Sequence, residues 1–426
     1  MGGTVIDMLA AQLQFDKLCE KLGIGHSVGV ALGLLVWSLI CMYVGSKLYS
    51  WFSFGREDER ISDKFSQLQA EQHSAEERGK TYPQPYPNGW YSLIESHTVK
   101  RGCVVEVRAV GKVFAIFRGE SGKLNVIDAY CPHLGANLAI GGKVKGECLS
   151  CPFHDWCIDG TGHVSHVPYS DNPPKLSNIK QYTYKEYYGM VVLWHDIEGG
   201  PPAYELPDFE EIDKAVYRGS HYPRDLRMHI QEFAENSADL RHFNCIHSSF
   251  TLPWTDIQVP GIKVNFEASW EKNAEHKHIC HLYTDEWTTL FGYQVMGKGC
   301  VTAKVWFLGP AGMVLFELRT KWFGSVYMWQ CHTPTQPMKL KTTFRWYSDR
   351  RMPRWMASFL VGSWVSQWQN DIFIWENKIL LNPLLVKGDG PIMALRRWYK
   401  QFYPAPKIEL EKPVAGSGTE KGSPAE

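Results

Sequence analysis

Two short stretches organise this chain: Cys131-Pro132-His133-Leu134-Gly135-Ala136 and Cys151-Pro152-Phe153-His154-Asp155-Trp156, with seventeen residues between His133 and Cys151. Each offers one cysteine and one histidine. Thiolates are soft, strongly donating ligands, while neutral imidazoles leave less negative charge on a metal, so the set suits an iron–sulfur cluster with mixed ligation. The same residue types also suit tetrahedral zinc. Cys148 sharpens that alternative, because with Cys151 and His154 it forms a C-x2-C-x2-H spacing. Glycines at 135, 141 and 142 allow tight backbone turns beside a bound metal.

The flanking sequence reads as short strands. Val105, Val107 and Ala109 alternate with Glu106 and Arg108, residues 113–117 form an apolar run, and Glu120-Ser121-Gly122 supplies a turn. A further strand at 190–194 is followed by Gly199-Gly200-Pro201-Pro202, a natural domain boundary. Beyond it, helical stretches mix with strands at 301–308 and 314–318.

A second set of candidate ligands lies in that region, in Glu235-Asn236-Ser237-Ala238-Asp239-Leu240-Arg241-His242-Phe243-Asn244-Cys245-Ile246-His247. Residues five apart on an ideal helix point about 140° away from each other, so His242 and His247 converge only if the helix ends or distorts between them. Asp239 and His242 are helical neighbours. His276, His278 and His281 form a third group, in which the alternating His276 and His278 are read as the exposed face of a strand rather than a metal site.

Towards the N-terminus, residues 22–46 contain no Asp, Glu, Lys or Arg. About 20 such residues cross a bilayer, so a transmembrane helix is expected within 22–50. Basic residues after it (Lys47, Arg56, Arg60, Lys64) outnumber those before it (Lys17, Lys21), which places the larger part in the cytosol. With no cleavage site, an endoplasmic reticulum anchor is expected rather than a signal peptide. Residues 56–80 read as a solvated helical spacer, and Tyr82-Pro83-Gln84-Pro85-Tyr86-Pro87-Asn88-Gly89 excludes regular structure before a domain starting near Trp90.

Of 426 residues, 44% are hydrophobic, which is material for large cores. Lys plus Arg equals Asp plus Glu at 45 each, so no global charge draws nucleic acid. The 11 scattered cysteines suit a reducing compartment in which a few bind metal. The expected organisation is an N-terminal segment (1–21), a transmembrane helix (22–50), a linker (51–88), an all-β domain (89–200), an α+β domain (201–403) and a disordered tail (404–426).

The two Cys/His stretches resemble the cluster-binding loops of Rieske proteins. One departure is Asp155, where most of that family has glycine. The Asp-x2-His-x4-His spacing of Asp239, His242 and His247 resembles the catalytic-iron motif of Rieske non-haem oxygenases. Gln369-Asn370-Asp371-Ile372-Phe373-Ile374-Trp375-Glu376 resembles the late helix carrying that family's carboxylate ligand. The resemblance implies a [2Fe–2S] cluster on Cys131, His133, Cys151 and His154. It implies a mononuclear Fe(II) on His242, His247 and Asp371, with Glu376 as the competing ligand. Asp239 is then an electron-transfer bridge between subunits of a homotrimer, and the 201–403 part a helix-grip-like catalytic domain.

Tyr86-Pro87-Asn88-Gly89-Trp90-Tyr91, residues 128–138 and Val167-Pro168-Tyr169-Ser170 narrow the resemblance to Neverland-type cholesterol 7-desaturases, and the membrane segment fits them too. That group removes hydrogens at C7 and C8 of cholesterol to give 7-dehydrocholesterol, using O₂. No dinucleotide fingerprint is present, so NAD(P)H is expected to act through a separate reductase or ferredoxin. The rival readings are a Rieske monooxygenase hydroxylating a steroid or other ring, a membrane-tethered Rieske electron carrier, and a zinc-stabilised lipid-binding module.

Overall fold

A computed structural model describes residues 75–175 and 179–404. Among them no helix is long and apolar enough to cross a membrane, and the expected transmembrane segment lies outside the described residues.

The N-terminal part is built from small antiparallel sheets. β1 (Gly89–Glu95) is followed by β2 (Val104–Ala109), β3 (Lys112–Arg118) and β4 (Leu124–Asp128), the last three forming one sheet. β5 (Lys143–Lys145), β6 (Cys148–Ser150), β7 (Cys157–Asp159) and β8 (Val164–His166) make a second, and β9 (Tyr184–Tyr187) and β10 (Met190–His195) pair with β1 in a third. The run at 113–117 is apolar throughout because β3 is the central strand of its sheet, with Phe114, Ala115, Ile116 and Phe117 all fully buried.

The C-terminal part is one eight-stranded antiparallel sheet. Its strands are β11 (Val216–His221), β12 (Ser249–Thr251), β13 (Gln258–Lys272), β14 (Ile279–Leu290), β15 (Tyr293–Leu308), β16 (Met313–Thr320), β17 (Gly324–Gln336) and β18 (Lys339–Ser348). Their spatial order is β11-β18-β17-β16-β15-β14-β13-β12. Side chains alternate across it. One face offers Leu282, Val305, Phe316, Met328 and Phe344 to a core shared with Val361, Val365, Trp368 and Ile372 of a long helix. The other offers Leu308, Met313, Leu315 and Trp329 to Trp90, Met190 and Trp194 of the N-terminal part.

The helices are α1 (Ala75–Gly79), α2 (Glu210–Lys214), α3 (Ile230–Asn236), α4 (His242–Ile246), α5 (Arg354–Trp375) and α6 (Ile392–Tyr399). The spacer expected at 56–80 is not solvated at its end. Arg78 is buried and its guanidinium donates to the carbonyls of Trp375 and Arg227 at 3.2 and 2.6 Å, while the Tyr82 hydroxyl donates to Glu232 at 2.5 Å. A lone arginine in a polar run carries no sequence signal that backbone carbonyls await it.

Candidate metal centres

The two Cys/His stretches fold as matching loops at the ends of β-hairpins. In the first, Cys131 N–H donates to Ala136 O at 2.8 Å and Gly135 N–H to Cys131 O at 2.9 Å. In the second, Cys151 N–H donates to Trp156 O at 2.8 Å and Asp155 N–H to Cys151 O at 3.1 Å. Both loops therefore need a left-handed residue four positions after the cysteine, and Gly135 (φ 74°) and Asp155 (φ 61°) occupy those places. Aspartate tolerates that conformation better than most side chains. Its carboxylate is held by Ser150 and, at 2.6 Å, by Lys145, which accounts for the departure noted in the sequence.

Cys131 and Cys151 are each 3% exposed, and the rings of His133 and His154 stand 4.8 Å apart. Burial pushes the Cys131 thiol up to about 11, with the Cys151 side chain adding to the rise against backbone N–H groups that lower it. His133 stacks on Trp156 at 4.4 Å, and its Nδ1 is buried without a hydrogen-bond partner. Two buried thiols beside a buried, unsatisfied imidazole nitrogen fit a metal cluster, which would remove both desolvation penalties.

Cys148 and Cys157 are joined by a disulfide between β6 and β7. Neighbouring strands bring them together, a relationship invisible in linear spacing. Cys148 is thus removed from the zinc-like C-x2-C-x2-H set.

The second centre forms where α4 stops. The helix spans His242–Ile246 and its C-cap, His247, leaves helical geometry (φ −106°, ψ 4°), so the two imidazoles come within 5.2 Å. Asn370 and Gln367 of α5 donate to the carbonyls of Ile246 and Ser249 at 3.0 and 2.6 Å, clamping the helix beside them. Asp371 is carried in with it, 4% exposed rather than capping or on the surface. Ligand atoms of His242, His247 and Asp371 all lie within 4.8 Å of one another, and His247 Nε2 is 3.2 Å from Asp371 Oδ2.

Partners around the three residues orient them. His242 Nδ1 is hydrogen-bonded to the backbone carbonyl of Asp239, leaving Nε2 inward. The Asp239 carboxylate is half-buried and accepts from His242 N–H at 3.3 Å. Asn236 Nδ2 sits between His242 Nε2 (3.1 Å) and Asp371 Oδ1 (3.3 Å). Burial lowers the His242 pKa and the Asp371 carboxylate opposes it, so the ring is kept neutral, as a ligand must be. His247 Nδ1 is buried without a partner. Two imidazoles and one carboxylate converging in a buried site fit a non-haem Fe(II) ion with open positions. Glu376 is engaged elsewhere, accepting from both Arg224 nitrogens at 2.7 and 2.8 Å.

Sequence reasoning assigns no role to Asn236, although it lies in the quoted stretch. Nor did it single out Glu286 on β14, whose carboxyl burial pushes up to about 7 against the lowering influence of His247. An isolated glutamate in a strand carries no signal until the sheet sets it beside the histidines. His276 and His278 do not form a strand face: both lie in the connection before β14, His276 exposed and His278 half-buried, while His281 of β14 is buried against Trp306.

A small β domain with paired Cys/His loops, followed by a sheet-and-helix domain with a two-histidine, one-carboxylate cluster, defines a Rieske-type oxygenase. Residues 89–183 match the Rieske [2Fe-2S] domain family, and residues 193–403 match the 3-Ketosteroid 9alpha-hydroxylase C-terminal domain family. The chain is 37% identical to cholesterol 7-desaturase nvd of Hemicentrotus pulcherrimus over 77% of its own length and 72% of the relative's. It is 34% identical to that of Xenopus laevis over 78% and 75%. The fold is shared with dicamba monooxygenase at 15% identity, with a TM-score of 0.56 over 74% of this chain and 97% of the other. The chain belongs to the cholesterol 7-desaturase family of Rieske oxygenases.

Proposed function

We propose that this chain is a membrane-anchored enzyme that desaturates cholesterol at C7–C8 to 7-dehydrocholesterol, consuming O₂ and electrons delivered from NAD(P)H by a separate reductase. The carrying observation is the convergence of His242, His247 and Asp371 downstream of a Rieske domain in a chain of this family. Cys131, His133, Cys151 and His154 would hold the [2Fe–2S] cluster, and His242, His247 and Asp371 the iron. When bound, the cluster supplies single electrons and the iron supplies oxygen chemistry able to remove hydrogen from an unactivated carbon. The protein's own share is to hold the His242 imidazole oriented through Asp239 and Asn236, and to keep water from an apolar ring system.

The charge-free stretch at 22–46 supports a single-pass anchor in the endoplasmic reticulum with the catalytic part cytosolic. A homotrimer, with Asp239 bridging to a neighbour's cluster histidine, is supported by the exposure of Leu134 and Phe153 on the cluster loops, at 64% and 62%. Such apolar tips suit a partner surface. The match of residues 193–403 to a steroid hydroxylase domain favours one second reading, ring hydroxylation. Incubating the purified full chain with cholesterol, reductase, NAD(P)H and O₂ separates the two. A conjugated diene lacking two hydrogens is expected, whereas a product with added oxygen establishes the hydroxylase.

A further inference from the structure

We infer that one end of the eight-stranded sheet is a bilayer-docking edge through which the sterol reaches the iron site. The inference rests on the sterol-enzyme reading and names the surface that reading leaves open. β14 and β15 are joined by a two-residue turn, with Leu290 paired to Tyr293. Both turn residues have positive φ, Phe291 at 48° and Gly292 at 87°. Two-residue turns of this hand favour Asn, Asp and Gly, and a bulky aromatic there is strained. Phe291 is nevertheless 75% exposed, its ring edge lying over Gly261 of β13; Tyr293 at 80% and Val295 at 60% follow it on β15, and Ile257 of the β12–β13 connection is exposed at 56%.

The β16–β17 turn projects from the same end, since Thr320 pairs with Val301 and Lys321 N–H donates to Cys300 O at 3.0 Å. It presents Trp322 at 64% exposure. Exposed lysines 263 and 321 accompany these aromatics, while Lys298 is paired with Glu267. Aromatic rings with lysines among them are the composition of a membrane interface, where rings sit at headgroup level and ammonium groups meet phosphate. The anchor proposed at 22–46 would hold the domain at that surface.

The same hairpin leads to the iron site. Leu290, Thr288 and Glu286 lie on one face of β14, opposite Ile262, Val264 and Phe266 of β13. Phe266 is 6.5 Å from the His247 ring. Four residues of strand, about 13 Å, therefore separate the tip from the level of the metal ligands. A sterol leaving the bilayer at Phe291 would move along this face towards His247.

The test uses the full chain in phosphatidylcholine–phosphatidylserine vesicles. Asn suits the turn, so Phe291→Asn is expected to keep or raise Tm while removing the apolar tip. KM for vesicle-borne cholesterol should rise about tenfold, the loss of one buried aromatic, with kcat and KM in detergent unchanged. Separately, benzoylphenylalanine in place of Phe291 should crosslink to lipid on irradiation, a result read without turnover and so independent of which sterol reaction occurs. An unchanged vesicle KM, no lipid adduct, or a crosslink to a second copy of the chain overturns the proposal. If detergent-solubilised cholesterol yields no diene while the lipid adduct forms, the substrate reading fails and the docking edge stands.

Discussion

His247 Nε2 and Asp371 Oδ2 lie 3.2 Å apart, although one residue caps a five-residue helix and the other sits near the end of a helix begun more than a hundred positions later. Both are almost fully buried. Uncompensated, a carboxylate and an imidazole in such a place are costly. An iron ion ligated by both would offset that cost. Asp371→Asn is expected to lower iron content about tenfold or more while the cluster's EPR signal and Tm persist. Unchanged iron content removes Asp371 from the site.

Glu376 behaves in the opposite way. Its carboxylate is 6% exposed and paired with Arg224, itself one-third exposed at 33%. Glu376→Gln should destabilise the fold by about 2 kcal/mol in urea unfolding, allowing for that exposure. Iron bound per folded chain should not change. Loss of iron without loss of stability identifies Glu376 as the ligand instead.

Asn236 touches both His242 and Asp371 through one amide group. Asn236→Ala leaves the three ligands present but unoriented. Iron affinity should fall about tenfold in a competition titration with a chelator, with the cluster spectrum intact. An unaltered affinity means the amide does not position the ligands.

Asp155 fills a left-handed position. Asp155→Gly should fold and retain its cluster, because glycine accepts that backbone freely. Asp155→Val should lose cluster absorbance, because a β-branched residue there clashes with its own backbone. Equal cluster content in the two variants contradicts this account of the loop.

Acid should unfold the protein through buried histidines away from both metal centres. Burial lowers His195, His221 and His229 to about 4 and His332 to about 3, from an ordinary value of 6.5. In the unfolded chain these rings take up protons below about 6.5, whereas the folded protein resists until about 4. Their contribution to stability is thus complete above pH 6.5 and shrinks as pH falls towards 4. Urea midpoints measured from pH 7.5 down to 4.5 should drop steadily below 6.5. A flat profile refutes it.

The cluster loops are legible in the sequence because ligation there is local: Cys131 and His133 are two apart, Cys151 and His154 three apart, and their prolines and glycines shape the turns. The strands at 104–109, 112–118 and 190–195 are legible for the same reason, through alternation or continuous apolar runs. Asp371 is different. Only the clamping of α5 by Asn370 and Gln367 brings it to the histidines, so spacing leaves it level with Glu376 and resemblance alone separates them. Asn236, Glu286, the Cys148–Cys157 disulfide and the burial of Arg78 depend wholly on tertiary placement. No local pattern encodes them.

Sterol desaturation at the site of His242, His247 and Asp371 is what the proposed function requires. Its most direct test compares sterols extracted from cholesterol-fed cells expressing the full chain with those from cells expressing His242→Ala, with Rieske EPR signals confirming equal cluster content. 7-Dehydrocholesterol should accumulate with the unaltered chain and be absent with the variant. The same diene in both, or a hydroxylated sterol in its place, contradicts the account.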